Sequence, residues 1–361
     1  MDNHEKILDQ SSGEIEPELV HFMPEHDFVF ALPKPKYWLH MLLFALTFLM
    51  STIVGARMQF QFDHHQPLFI GDEHYLSLSW ILQDLTRLKM GLPFSCSLLG
   101  ILFAHEMGHY LMCLYYGVYA TLPFFIPVPT PAGTFGAFIQ IRSPFKNRRE
   151  LFDIAIGGPI AGFIVALSVT AWGLAHSQRV TNNLVPTWHN APLGVPIIFD
   201  SIFSILQSNG IIPSTALSAH LLYFHPVAIA AWIGMLATML NLLPGGQLDG
   251  GHIILALTQR WHRVITWIAI VVMLLLSWDL WMGWLIWAIF LYVTRRHPDV
   301  PQEVPLGMFR WVMAVLALGL LFVTIMPTPV YAEGNTWHEL TVLFMNLLKA
   351  VFDWVEHFIR H

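Results

Sequence analysis

The chain of 361 residues contains little charge and almost no cysteine. Asp, Glu, Lys and Arg make up 12% of it, which is about half the fraction found in a soluble domain. The two cysteines, Cys96 and Cys113, lie in one apolar stretch, which excludes a disulfide framework and a cysteine-rich metal site. The formal net charge of -6 also argues against a nucleic-acid partner.

Hydrophobic residues, by contrast, make up 55% of the chain and fall into blocks of the length that spans a bilayer. The sequence therefore predicts an all-α polytopic membrane protein, with a core of three transmembrane helices and additional flanking helices. The predicted spans are residues 38–56, 93–116, 151–176, 226–243, 262–277, 280–294 and 308–326. The two short spans on either side of Trp278-Asp279 could instead form one bent hairpin that crosses the bilayer only in part.

The segments outside these spans set the expected topology. Most of the 18 Lys and Arg residues fall on the side of the N-terminus, and such residues are enriched on the cytoplasmic side. We therefore expect residues 1–37 to form a cytoplasmic arm, 38–92 to hold the first span and an outer loop, and 261–327 to hold accessory spans. In residues 328–361, polar side chains recur at steps of three and four. This spacing predicts an amphipathic helix on the membrane surface rather than a gate or a docking helix.

The outer loops leave alternatives open. The loop at 57–92 contains His64, His65 and His74 near Asp63, Asp72 and Glu73. A second metal site is possible there, but the absence of a repeating ligand spacing favours a solvated polar loop. Residues 177–224 are predicted to form another outer loop, too short for a complete inserted domain.

The second predicted span contains a metal-binding pattern, because residues 105–109 read His-Glu-Met-Gly-His. On a helix, His105 and His109 share one face and can reach one metal ion. Glu106 projects about 100° round the helix, where it can take a proton from water that the metal activates. A polar packing cluster without metal is the alternative. Because a charge inside an apolar span is costly, we favour the functional interpretation.

A catalytic zinc ion usually takes a third protein ligand, and the fourth span ends with a candidate. Residues 241–252 read Asn-Leu-Leu-Pro-Gly-Gly-Gln-Leu-Asp-Gly-Gly-His. The proline and the two glycines after it predict a break in the helix at membrane depth, which is tolerated where the backbone is buried in protein or lines a wet cavity. Asp249 follows the break and can turn toward the metal. His252 either supports a ligand or is an ordinary histidine at the start of a helix.

Together, H-E-x-x-H at 105–109 and N-x-x-P-x-x-x-L-D-G at 241–250 resemble the motifs of the site-2 protease family of intramembrane zinc metalloproteases. The resemblance covers about residues 93–260, which we expect to form the catalytic core. It implies that His105, His109 and Asp249 bind Zn2+ and that Glu106 is the general base. It also implies that Asn241 hydrogen-bonds the substrate backbone or the oxyanion.

The segment between the second and third spans, residues 118–142, is rich in proline, which excludes a helix. A turn is expected at Pro131-Ala132-Gly133, followed by an extended stretch. That stretch consists of Phe135, Gly136, Ala137, Phe138, Ile139, Gln140 and Ile141. This segment resembles the re-entrant β-type loop that lies beside the active site in the site-2 protease family. We therefore expect the stretch to bind unwound substrate by β-augmentation, with a plain membrane-surface loop as the alternative.

The third span contains the pair Gly158 and Gly162, a G-x-x-x-G spacing that lets two helices approach closely. The expected partner is the helix that carries the two histidines.

These features favour a zinc peptidase that hydrolyses a bond in or near the transmembrane helix of a membrane-protein substrate within the lipid bilayer. The N-terminus and the active site are expected toward the cytoplasm. One alternative is a membrane metalloprotease that cuts at the membrane surface and takes its third ligand from a downstream glutamate. The other is a non-proteolytic zinc-binding membrane protein or transporter, against which the lack of paired internal repeats argues.

Overall fold

The structure, a computed structural model of the chain, describes residues 36–66, 78–179, 193–213, 219, 222–297, 300–301 and 304–330. The predicted N-terminal arm and C-terminal amphipathic helix lie almost entirely outside these residues. The helices are α1 (Tyr37–Asp63), α2 (Leu78–Gln83), α3 (Leu88–Tyr116), α4 (Arg148–Ala175), α5 (Ile197–Ser208), α6 (Pro226–Asn241), α7 (Asp249–Leu257), α8 (Gln259–Asp279), α9 (Gly283–Thr294) and α10 (Met308–Thr324). The strands are β1 (Phe124–Pro127), β2 (Thr134–Phe138), β3 (Gln178–Arg179) and β4 (Leu222–Tyr223).

Within the described residues, four stretches of helix are long and apolar enough to cross a membrane, which agrees with the predicted polytopic membrane protein. They are Tyr37–Asp63, Leu85–Tyr116, Arg148–Ala175 and Gln259–Trp278. The other predicted spans correspond to the shorter apolar helices α6, α9 and α10.

Three sequence predictions need correction. The outer segment 57–92 is not only loop, because α1 continues to Asp63 and α2 lies within it. The turn between α8 and α9 does not lie at Trp278-Asp279, because the N–H groups of Leu280 and Trp281 still bond to the carbonyl of Leu276 and extend α8. The outer segment 177–224 is also not only loop, since it contains α5. That helix forms because apolar side chains recur at helical spacing, so that Phe199 and Phe203 are buried against the core.

Helix α3 packs against α1, α4 and α6. Small residues permit the crossing of α3 and α4, because a methyl group built at Gly108 would lie 2.3 Å from the carbonyl oxygen of Gly157. At the contact with α6, a methyl group at Gly234 would lie 2.8 Å from Cγ2 of Ile101. The contact of Gly108 with Gly157 places the backbone of α4 directly against the face of α3 that carries the metal-binding pattern.

Strands β1 and β2 form an antiparallel hairpin between α3 and α4, in which Phe125 pairs with Ala137. The predicted turn at 131–133 is present, and Gly133 takes a φ of 72° there. The turn packs on α1, where the Ser51 hydroxyl donates to the Ala132 carbonyl at 3.1 Å.

Candidate metal centre

His105, Glu106 and His109 lie near the middle of α3 and are buried, with exposures of 5%, 5% and 7%. Their neighbours along the helix are largely apolar, so the fold has removed three polar side chains from solvent. The Nε2 atoms of the two histidines are 3.2 Å apart. The helix therefore aims both imidazoles at one point, as the four-residue spacing predicts.

The carboxylate of Asp249 reaches the same point from the break between α6 and α7. Helix α6 ends at Asn241 and α7 begins at Asp249, with Pro244 between them and Gly246 at a φ of 58° that side-chain-bearing residues rarely adopt. The predicted break is present. It turns Oδ2 of Asp249 to 3.2 Å from Nε2 of His105 and 3.3 Å from Nε2 of His109.

This ligand set fits zinc. A tetrahedral zinc ion bound at about 2.0–2.1 Å holds its ligand atoms about 3.3 Å apart, and the three observed separations are 3.2, 3.2 and 3.3 Å. Among the described residues, this is the only group of three or more His, Cys, Asp and Glu side chains whose ligand atoms converge in this way. The second metal site considered for the loop at 57–92 depends in part on His74, Asp72 and Glu73, which lie outside the described residues.

The orientation of His109 supports the same conclusion. Its Nδ1 lies 2.7 Å from the carbonyl oxygen of Ile154, so this nitrogen is the donor and the Nε2 of a neutral ring carries a lone pair. That lone pair faces the carboxylate oxygen of Asp249, another acceptor. Two acceptors 3.3 Å apart need a cation between them, either a proton or a metal. A backbone carbonyl that orients a metal-ligating histidine is a common supporting group, but no feature of the sequence identifies Ile154.

The two glycines of the third span provide the space for the imidazoles. A methyl group built at Gly158 would lie 2.1 Å from Nε2 of His109, and one at Gly162 would lie 2.9 Å from Cβ of His105. The predicted contact of the G-x-x-x-G pair with the histidine-bearing helix is therefore confirmed. The contact also has a second consequence, since these glycines touch the ligand side chains themselves.

Glu106 lies beside the ligand set and not within it. The backbone amide of Ile139, just after β2, lies near its carboxylate. Asn241 also lies next to the cluster, with its amide nitrogen 3.2 Å from Nε2 of His105. The structure thus brings the carboxylate, the amide and the three ligands into one group.

Two small cavities open onto this group. One of about 220 Å3 is lined by Glu106 and Asn241, by Phe135, Gly136 and Ala137 of β2, and by apolar residues of α3, α6 and α9. The other, of about 200 Å3, is lined by the three ligands, by Ala137, Phe138, Ile139 and Ile141, and by His252. Nδ1 of His252 lies 2.9 Å from Nε2 of His297.

The predicted extended stretch from Phe135 to Ile141 divides into two parts. Strand β2 covers Thr134–Phe138, so Ile139 and Gln140 lie beyond it, and Ile141 forms an isolated bridge with Ala120. Gln140 lines neither cavity, because its backbone bonds to Thr121 and its side chain accepts from Arg142. It is the one member of the stretch that the structure directs away from the metal-binding group.

The fold is that of a polytopic membrane protein, and two histidines and one aspartate form a candidate zinc site in it. The family model of peptidase family M50 matches residues 93–277, slightly more than half of the chain. The chain therefore belongs to this family, the site-2 protease family that the motifs resemble.

Similar proteins carry related names. The probable chloroplastic zinc metalloprotease EGY1 of Arabidopsis thaliana is 32% identical over 241 residues, which cover 65% of this chain and 43% of that protein. The protein of the same name in Oryza sativa subsp. japonica is 28% identical over 244 residues, covering 66% of this chain and 41% of its own length. The probable chloroplastic zinc metalloprotease EGY2 of Arabidopsis thaliana is 28% identical over 258 residues, which cover 70% of this chain and 44% of that protein. This chain thus spans about two fifths of the length of these relatives.

Proposed function

We propose that the chain is a zinc endopeptidase that hydrolyses a peptide bond in or near the transmembrane segment of a membrane-protein substrate, with residues 93–260 as its catalytic core. The observation that carries the proposal is the convergence of His105, His109 and Asp249 beside Glu106 in the middle of an apolar helix. A buried metal-binding group with a carboxylate beside it supports a hydrolase that works within the bilayer. The names of the similar proteins support the same activity.

The side chains divide the reaction between them. His105, His109 and Asp249 would hold the zinc ion, which would supply a Lewis acid for the scissile carbonyl and for the attacking water. Glu106 takes the proton from the attacking water and returns it to the leaving amine. Asn241, whose amide lies at the edge of the ligand set, donates a hydrogen bond to the substrate carbonyl as it acquires negative charge.

We propose that β2 binds the substrate. Among the described residues β2 pairs only with β1, which leaves its other edge available to a further strand. The cavity of about 220 Å3 lies between that edge and α6, and Glu106 and Asn241 both face it. A substrate helix that unwinds locally can add to β2 as an extended strand, with its scissile bond next to the metal.

The proposed setting follows from the same residues. The β1–β2 hairpin is a re-entrant loop that enters the bilayer beside α3, and the two cavities supply the room for water. The bias of Lys and Arg supports an orientation with the N-terminus and the active site toward the cytoplasm.

The purified protein in proteoliposomes, with a single-span model substrate carrying a C-terminal fluorescent tag, provides the test. Glu106→Gln should abolish cleavage and leave zinc content unchanged, because Glu106 lies outside the ligand set. Glu150→Gln is the control, since Glu150 is equally buried but caps the N-terminal end of α4. Full cleavage by Glu106→Gln would contradict the assigned chemistry.

A zinc transporter built on the same fold is the competing function, because it too needs buried ligands. Zinc flux into vesicles that contain the protein, measured with an entrapped zinc dye, separates the two. Flux that depends on His105 without any cleavage of the model substrate would favour transport.

A further inference from the structure

A polar cluster outside the zinc site joins α3, α4 and α10. Arg310 of α10 donates from Nε to Oδ1 of Asp153 at 2.8 Å and from a terminal nitrogen to Oδ2 at 2.5 Å. The Tyr116 hydroxyl at the end of α3 donates to the same carboxylate and accepts from Arg310 at 3.2 Å. The Arg310 and Asp153 side chains are only 19% and 18% exposed.

This cluster lies next to the supporting group of a zinc ligand. Asp153 immediately precedes Ile154, whose carbonyl accepts the Nδ1 proton of His109. Tyr116 lies on the same helix as His109, about two turns further on. Helices α3 and α4 are thus joined twice over a short distance, once by His109 and Ile154 and once by Tyr116 and Asp153.

We propose that Arg310, Asp153 and Tyr116 form a clamp that positions His109 for zinc by fixing the Ile154 carbonyl against α3. The bidentate geometry makes the guanidinium group suited to this task, because two parallel hydrogen bonds fix the carboxylate in orientation as well as in distance. Without the Arg310 guanidinium group, the mostly buried Asp153 carboxylate keeps only the neutral Tyr116 hydroxyl as a partner in this cluster. It must then take up a proton or draw in water, and either change moves the first turns of α4.

The clamp gives α10 a part in the zinc site. The family match ends at residue 277, before α10 begins at Met308. Helix α10 is therefore an accessory helix by sequence but a supporting element of the metal centre by geometry. None of the three clamp residues contacts the ligand atoms, so all of them are positioning residues.

The test measures zinc affinity and not cleavage, so its outcome is independent of the proposed peptidase activity. Purified full-length variants are titrated with zinc against a chelator of known affinity, and the absorption bands of bound Co2+ report the ligand geometry. Arg310→Met should weaken zinc binding by about tenfold to 100-fold, the range found when a group that orients a ligand is lost. It should also shift the Co2+ bands, and Arg310→Lys should restore part of the affinity.

Arg149→Met is the matched control. Arg149 lies one turn before Asp153 and donates to the Pro305 carbonyl at 2.7 Å, so its loss removes a cation and a bond to the segment before α10 but leaves the clamp intact. Equal weakening in Arg149→Met, or wild-type affinity and Co2+ bands in Arg310→Met, would overturn the proposal. If Arg310→Met does not fold, Tyr116→Phe decides. Weaker zinc binding supports the clamp, and wild-type binding with an unchanged spectrum refutes it.

Discussion

The contact between Gly158 and His109 gives the sharpest prediction for the zinc site. In Gly158→Ala, the new Cβ would lie 2.1 Å from Nε2, 2.4 Å from Cδ2 and 2.5 Å from Cε1 of His109. Favourable contacts between such atoms begin at about 3.5 Å. The imidazole must therefore move by about 1 Å or more, because the alternative is to separate two tightly packed helices.

Zinc does not tolerate such a shift, since its ligand distances hold within about 0.2 Å. Loss of a group that merely orients a ligand weakens metal binding by about 10- to 100-fold, and Gly158→Ala displaces the ligand itself. We expect zinc binding at least about 100-fold weaker, which corresponds to about 2.8 kcal/mol. Cleavage of the model substrate should fall in parallel and recover in part at high zinc concentration.

Substitutions at two further glycines serve as comparisons for Gly158→Ala. In Gly162→Ala, the new Cβ would lie 2.9 Å from Cβ and 3.2 Å from Nδ1 of His105, so a shift of about 0.6 Å relieves it, against about 1.4 Å for Gly158→Ala. We expect a loss of about tenfold or less. Gly100→Ala, also on α3, meets no atom within 4 Å and should bind zinc as the wild type does.

Chelator competition gives the affinities, and circular dichroism confirms that each variant is folded. The reasoning is refuted if folded Gly158→Ala binds zinc as tightly as Gly100→Ala, or if Gly162→Ala has the larger effect.

Two other predictions separate substrate binding and stability from the metal. Gly136 takes a φ of 110° with open space around it, so Gly136→Ala strains only the backbone, by about 1–3 kcal/mol. Its KM for the model substrate should rise with unchanged zinc affinity, whereas Gly117→Ala, at a φ of 66° and also in open space, should leave KM unchanged. Burial lowers the pKa of His225 from 6.5 to about 4, and its neutral Nδ1 caps α6 by accepting from Val227. As the pH falls from 6.5 toward 4, the unfolded chain takes up a proton that the folded chain refuses, so stability should fall. His225→Asn, which keeps a capping acceptor but does not titrate, should lose less of its thermal stability over this interval.

The sequence reveals the parts of the site that depend on local spacing. His105 and His109 share a helical face whatever surrounds them, and the proline and glycines before Asp249 break the helix in any context. The G-x-x-x-G pair is also visible in the local sequence, and the small size of the two glycines predicts the close contact with α3. The same holds for the long apolar helices, whose length and composition are visible residue by residue.

The parts that the sequence does not reveal depend on distant contacts. The Ile154 carbonyl is a backbone group, and nothing in the side chain indicates that it orients His109. Asp153 and Arg310 are 157 positions apart. The sequence places each of them near a different span and does not indicate that the two side chains pair. Helix α5 is short and lies between segments without helical periodicity, and which of its apolar side chains are buried depends on contacts with distant helices.

The position of the ligands makes zinc binding and packing one process. Asp249 and His105 are 144 positions apart, so a bound ion joins the start of α7 to the middle of α3. Without the ion, the Nε2 atoms of His105 and His109 face the buried carboxylate of Asp249 acceptor to acceptor, which weakens the contact between α3 and the start of α7 unless a proton is taken up. Zinc should therefore stabilise the helical core, and a variant that loosens this contact should lose zinc before it unfolds.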